Sequence, residues 1–246
     1  MKLFYSPFHT FIHKVLVTAH EAGLWDRITF VPTYPFKNRS GEDQGDAYSI
    51  AALNPLDKVP TLALDDGQVV YGSQAIVETL DGLSVSGRHL YPSAGPARWE
   101  ALTRLALADT IFETTVQLVM EGWQPPERQR LSLFEWIWPK IIGGFDRLEA
   151  YCERGFEDFD IGQAAMLHAI SYTDFRVRFY DAKDPLNPDF DCFAHRPHLK
   201  RWWEEAIERP SVRSHYHVDF EGDDSPEFLK AQVAEVLALQ KENGTR

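Results

Sequence analysis

The hydrophobic pattern of this chain changes character once, between Gly82 and Pro96, and that change governs what it can fold into. Ahead of it, apolar residues come in short runs broken by turn residues. Behind it, they recur almost throughout at helical spacing. Residues 83–95 carry Gly, Ser and Pro with little periodicity and read as a linker. A chain of 246 residues is long enough to bury two cores. The expected organisation is therefore a mixed α/β domain over 1–82, a linker over 83–95 and an all-helical domain over 96–246.

In the first part, Leu3-Phe4-Tyr5 is an apolar run stopped by Ser6-Pro7, which predicts a buried strand ending in a turn. Phe11, Ile12, Val15, Leu16 and Ala19 then recur at helical spacing, with Thr10 placed as N-cap and Gly23 as the stop. A second strand follows at Ile28–Val31. Strand, crossover helix and strand of this size predict a βαβ unit with parallel strands. Residues 32–45 are polar and rich in Pro and Gly, a loop, and Ala47–Leu53 suits a short helix. Val59–Leu64, Asp65-Asp66-Gly67 and Gln68–Tyr71 predict a hairpin, after which Ser73 caps a helix through Ile76, Val77 and Leu80. The order is β-α-β-α-β-β-α.

In the second part, Trp99, Leu102, Leu105, Ala106, Phe112, Val116 and Val119 mark one long helix. Phe134, Ile137, Ile141, Phe145, Leu148 and Cys152 mark another. Asp160-Ile-Gly-Gln163 has the form of a capping box opening a third helix to about Phe179. A fourth is expected over Pro197–Glu208, and Ser225-Pro226-Glu227 opens a last one. The result is an all-α helical-bundle domain.

Charge and cysteine content narrow the function. A formal net charge of −12 repels phosphate backbones and anionic lipids, and the densest basic stretch, 195–201, runs directly into Glu204 and Glu205. Nucleic acid is not an expected partner. The two cysteines, Cys152 and Cys192, are far apart and form no C-x-x-C, so neither a disulfide framework nor a thiolate metal site is indicated. His9 and His13 are spaced i, i+4 and His215 and His217 lie near Asp219, but neither group has the ligand set of a metal centre, and none is expected. The N-terminal sequence lacks a signal-peptide core and no run is long enough to span a membrane, which predicts a cytoplasmic protein with no membrane association.

Three stretches resemble the glutathione transferase family. They are Leu3-Phe-Tyr-Ser-Pro-Phe-His-Thr-Phe-Ile-His-Lys-Val15; Asn54-Pro-Leu-Asp-Lys-Val-Pro-Thr-Leu62 with Asp65-Asp-Gly67 and Gly72-Ser-Gln-Ala-Ile76; and Tyr172-Thr-Asp-Phe-Arg176 with Arg196-Pro-His-Leu199. The resemblance spans nearly the whole chain and is similar to bacterial members. It implies a thioredoxin-like N-terminal domain, glutathione as co-substrate, a small apolar electrophile and a symmetric homodimer. It also implies a cis Val59–Pro60 bond that turns the Val59 backbone outward to pair with the tripeptide as an added strand.

The implied chemistry is stabilisation of the glutathione thiolate, whose parent thiol has an ordinary pKa of about 8.5. A hydroxyl or imidazole donor and a helix N-terminus suit that task. By motif, the serine of many bacterial members falls at His9 and the cysteine of another class at Thr10, with Ser6 and Tyr5 next in rank. Each also has a plainer role, Thr10 as an N-cap and His9 as a loop residue. Ser73 is expected to hold the γ-glutamyl carboxylate and Lys58 to reach a glutathione carboxylate, beside Val59 and Pro60. Gly72 stands where the family usually carries an acid for the γ-glutamyl ammonium, a departure that opens a second reading: a non-catalytic or weakly glutathione-binding module. A cysteine-dependent reductase would need a thiol at the first helix, where neither cysteine lies. Trp99, Phe112, Trp123 and Tyr172 are candidates for an apolar pocket or for ordinary helix packing.

Overall fold

The computed structural model describes residues 1–5, 11–33, 50–122, 124–179 and 190–213. They form two compact units, one built on Met1–Tyr91 and joined by Pro210–Arg213, the other on Pro92–Arg209.

The first unit contains β1 (Lys2–Tyr5), α1 (Phe11–Glu21), β2 (Thr29–Pro32), β3 (Thr61–Ala63), β4 (Val69–Tyr71) and α2 (Ser73–Gly82). Its sheet has the order β2-β1-β3-β4, with β1 parallel to β2 and antiparallel to β3, and β3 antiparallel to β4. This is the thioredoxin-like arrangement. The parallel pair is the βαβ unit, and α1 is the crossover. α1 buries Ile12, Val15 and Leu16 and ends in a Schellman motif. Leu24 N–H reaches Ala19 C=O at 2.9 Å, Gly23 N–H reaches His20 C=O at 3.0 Å, and Gly23 takes the required φ of 69°. The predicted hairpin closes as a three-residue loop, with Gly67 N–H on Leu64 C=O at 3.1 Å and φ 88° at Gly67.

Two local expectations shift. Gly72, not Ser73, occupies the N-cap of α2: the chain leaves β4 at φ 87°, and Ser73 is the first helical residue. The short helix expected over Ala47–Leu53 lies partly outside the described residues. Its described end is a turn in which Leu53 and Asn54 N–H both bond Ile50 C=O at 2.8 Å.

Residues 83–91 lie against the end of α1. Val85 and Ser86 donate N–H to Ala22 C=O, and Arg88 pairs with Glu21 at 2.8 Å. Glu21 also accepts the Ser211 hydroxyl at 2.5 Å from the short α7 (Pro210–Arg213).

The second unit contains α3 (Gly95–Gly122), α4 (Leu131–Arg154), α5 (Ile161–Phe179) and α6 (Pro197–Ala206). α5 is central, buried continuously from Ile161 to Ile170. Asp160 caps it through the Gln163 N–H at 3.1 Å, as the capping-box pattern predicts. The Gln163 side chain, however, bonds Asp158 C=O and accepts the Trp202 indole N–H rather than returning to the cap. Pro139 sits inside α4 on its exposed side, as does Glu135, whose carbonyl is the one that a proline at 139 cannot serve with an N–H. The helix expected from Ser225 lies outside the described residues.

The turn joining α3 to α4 is held by Glu121, whose carboxylate accepts the Arg130 N–H at 2.6 Å and its Nη2 at 2.7 Å. Hydrogen bonding to the Arg130 side chain, then to its backbone, lowers the Glu121 pKa from the ordinary 4.5. A depressed carboxylate contributes stability that is fully present above the ordinary value and is lost as pH falls through the folded value. Lowering the pH from about 5 to about 3 should therefore cost the wild type more stability than Glu121→Gln, as chemical denaturation at each pH would show. Equal losses would mean that this carboxylate makes no pH-dependent contribution.

Candidate active site

The strand registers bring three segments to one end of the sheet. β1 pairs with β3 through Phe4↔Thr61, and β3 pairs with β4 through Thr61↔Tyr71. Followed one residue further, Tyr5 is level with Pro60. The other pair ends at Thr61↔Tyr71, two residues after Val59 on one strand and two residues before Ser73 on the other. The chain also leaves β1 for α1 at this end. The exit of β1, the Val59–Pro60 segment and the start of α2 are thus neighbours because the hairpin register puts them there.

The Val59–Pro60 bond is cis, as the resemblance implies. Val59 is half-buried, and among the described residues neither its N–H nor its C=O takes a hydrogen bond. The residues around it are heavily bonded. Asn54, 2% exposed, donates Nδ2–H to Lys58 C=O at 2.8 Å and to Thr61 Oγ1 at 3.1 Å, while its Oδ1 accepts the Leu56 N–H at 3.1 Å. Thr61 donates its hydroxyl to the same Lys58 carbonyl at 2.9 Å. Asp57, at φ 49°, donates N–H to Asn54 C=O and accepts the Ile50 N–H at 2.7 Å. Lys58 itself is exposed.

Ser73 is buried at the first position of α2. The first helical hydrogen bond runs from Ile76 N–H to Gly72 C=O at 3.1 Å, so the amides of residues 73–75 precede the helical ladder, at the positive end of the dipole. Gly72 is exposed, with open space where a side chain would begin.

Among the candidate sulfur-contacting residues, Ser6, His9 and Thr10 lie outside the described residues. Tyr5 is fully buried, its ring edge-on to Phe30 at 6.0 Å, and burial pushes its phenol pKa well above the ordinary value. Its side chain belongs to the core beneath the site. Sequence reasoning missed Asn54 and Thr61. Both stood in the recognised motif, but their side-chain bonds close over two to seven residues and leave no periodic signal.

The aromatic candidates of the second unit divide. Phe112 and Tyr172 are buried with ring centroids 4.7 Å apart, Trp99 is 66% exposed, and Trp123 lies outside the described residues. Cys192 is buried, and burial with Glu149 nearby pushes the Cys152 thiol up to about 12. Among the described residues there is no cluster of three metal-ligating side chains. No helix among them is long and apolar enough to cross a membrane.

A four-stranded thioredoxin-like sheet with a helix N-terminus at one end, followed along the chain by an all-helical unit, defines a two-unit protein of the thioredoxin-like fold. The comparisons make this specific. The family profile "Glutathione S-transferase, N-terminal domain" matches residues 8–83. A glutathione transferase family member from Pseudomonas fluorescens Pf-5, solved with bound glutathione, is 32% identical. It aligns over 87% of this chain and 97% of its own, with a TM-score of 0.74. A glutathione S-transferase from Methylobacillus flagellatus KT, also solved with glutathione, is 27% identical over 88% of this chain and 99% of its own, with a TM-score of 0.75. The GST-like protein YibF of Escherichia coli K12 is 26% identical over 86% of this chain and 96% of its own. The chain belongs to the glutathione S-transferase family.

Proposed function

We propose that this protein is a glutathione transferase that binds glutathione at the sheet end and stabilises its thiolate for attack on a small apolar electrophile. The observation that carries this reading is the Val59 backbone, which takes no hydrogen bond among the described residues and stands just beyond the β3–β4 pairing that leads into the start of α2. An extended tripeptide pairs its cysteinyl main chain with Val59 beside Pro60, as strand addition requires. Its γ-glutamyl carboxylate meets the Ser73 hydroxyl and the leading amides of α2. Its glycyl carboxylate lies within reach of Lys58. The cysteinyl sulfur is then directed toward the segment between β1 and α1, where Thr10 and His9, with Ser6 behind them, are the proposed donors. The thiol gives up its proton, sulfur bonds to the electrophilic carbon and the leaving group departs with the electron pair. The glutathione bound in the two structural relatives supports this assignment.

The protein is further proposed to act as a cytoplasmic homodimer, without nucleic acid or membrane partners. The raised pKa of Cys152 and the burial of Cys192 argue against a thiol-based reductase using either cysteine.

Calorimetry with glutathione and a conjugation assay with a chloronitrobenzene test the proposal. Ser73→Ala should weaken glutathione binding about tenfold to a hundredfold, because a hydrogen bond to a charged group contributes roughly 1.5–3 kcal/mol. Turnover at saturating glutathione should fall much less. Binding without conjugation would favour the second reading, a glutathione-binding module, to which the missing acid at Gly72 also points. Absence of glutathione binding by the wild type would remove both.

A further inference from the structure

The proposed ligand edge is not part of a strand. β3 begins only at Thr61, so Lys58, Val59 and Pro60 lack the ladder that normally orients a peptide-binding edge. Something else must hold the Val59 N–H in its binding direction.

The peptide plane between Lys58 and Val59 supplies the answer. The one cis bond among the described residues is the next one along, so the Lys58 carbonyl and the Val59 N–H belong to a trans unit and point in opposite directions. That carbonyl accepts two donors, Asn54 Nδ2 at 2.8 Å and Thr61 Oγ1 at 2.9 Å. The donors also bond each other, Asn54 Nδ2 to Thr61 Oγ1 at 3.1 Å, and Thr61 is fully buried. Asn54 is fixed in turn by its own Oδ1, which accepts the Leu56 N–H, and by the Asp57 N–H returning to its carbonyl. Drawing the carbonyl inward turns the amide on the other side of the plane outward.

We propose that Asn54, acting with Thr61, is the positioning residue of the peptide-binding edge: it anchors the Lys58 carbonyl and so aims the Val59 N–H at the cysteinyl carbonyl of glutathione. The inference rests on the glutathione reading above. Asn54 touches no ligand in this scheme; it acts through one peptide plane. The required chemistry is specific, because the Nδ2 group must donate twice. An aspartate of the same shape keeps the Leu56 bond but sets an oxygen against the Lys58 carbonyl and competes with that carbonyl for the Thr61 hydroxyl proton.

Asn54→Asp, Thr61→Val and Thr61→Ser test it, read by glutathione calorimetry and by kinetics with a chloronitrobenzene. Thr61→Val keeps the volume and removes the hydroxyl, and it decides the question if the aspartate variant fails to fold. The expected result is glutathione affinity and KM about tenfold weaker in Thr61→Val and further weakened in Asn54→Asp, with kcat and the electrophile KM little changed. Thr61→Ser, which retains the donor, should return the affinity. If wild type binds glutathione and folded Thr61→Val binds as tightly, the positioning role is overturned while the functional reading stands. A lower active fraction at unchanged Kd marks a purely structural role and overturns it equally. A wild type that binds no glutathione overturns the functional reading and this inference together.

Discussion

Gly162→Ala should destabilise the helical unit by more than Gly144→Ala does. Both glycines are helical, and alanine is intrinsically the better residue there by about 1 kcal/mol. Their surroundings oppose that gain at both, and more strongly at Gly162. A Cβ at Gly162 would lie 2.7 Å from the Ala101 carbonyl oxygen and 2.7 Å from the Arg104 Cβ, at the start of α5 against α3. A backbone oxygen inside a helix cannot step aside, so the cost is an overpacking penalty of about 1–3 kcal/mol or more. Displacing Arg104 would also strain its ion pair with the capping Asp160 and its place over the Tyr151 and Phe156 rings. At Gly144 the new Cβ would lie 2.7 Å from Ile111 Cγ1 and 2.9 Å from its Cδ1. That clash is with one buried side chain, stiff at χ1 in its helix, which can still repack at less cost than a backbone oxygen. Thermal unfolding of the two variants beside wild type gives the comparison. A Gly162→Ala protein as stable as wild type would mean that α5 shifts freely against α3.

How far the sequence reached can be judged residue by residue. The strands, the parallel β1–β2 pair, the hairpin at Asp65–Gly67 and the Asp160 cap were legible because each depends on local periodicity or turn chemistry. The outline of the site was legible too, because Val59-Pro60 and Gly72-Ser73 stand in a recognisable motif and the register joins them. What sequence could not supply was backbone conformation and nonlocal bonding. A hydroxyl residue at 73 is a natural N-cap, yet the φ of 87° at Gly72 moves the cap back by one residue and leaves the Ser73 hydroxyl without a capping bond. The amide of Asn54 reaches seven residues along the chain, and Gln163 turns from its own cap to Asp158 and Trp202. Pairings of that kind are chosen by the three-dimensional neighbourhood, which no periodic pattern encodes.

At Gly72 the same geometry separates stability from affinity. The family usually carries an acid here for the γ-glutamyl ammonium, and restoring it as Gly72→Glu should strengthen glutathione binding. The backbone resists: at φ 87° and ψ 121° a residue with a Cβ is strained, by about 1–3 kcal/mol, even though nothing lies within 4 Å of the new atom. Strain present equally in the free and bound protein cancels from the binding free energy. It should appear instead as lower stability, shared by Gly72→Glu and Gly72→Ala. The carboxylate contributes only when ligand is bound, by roughly 1.5–3 kcal/mol for a charged hydrogen bond. Gly72→Glu should therefore bind glutathione about tenfold to a hundredfold more tightly than Gly72→Ala, at matched loss of stability and with turnover at saturation little altered. Calorimetry and chemical denaturation on both variants check the two halves independently. If alanine alone weakens binding, the free protein relaxes its backbone at residue 72 and must restore the strained form to bind. If glutamate binds no better than alanine, the ammonium is met by another group, and the acid missing from this sequence was not needed for its ligand.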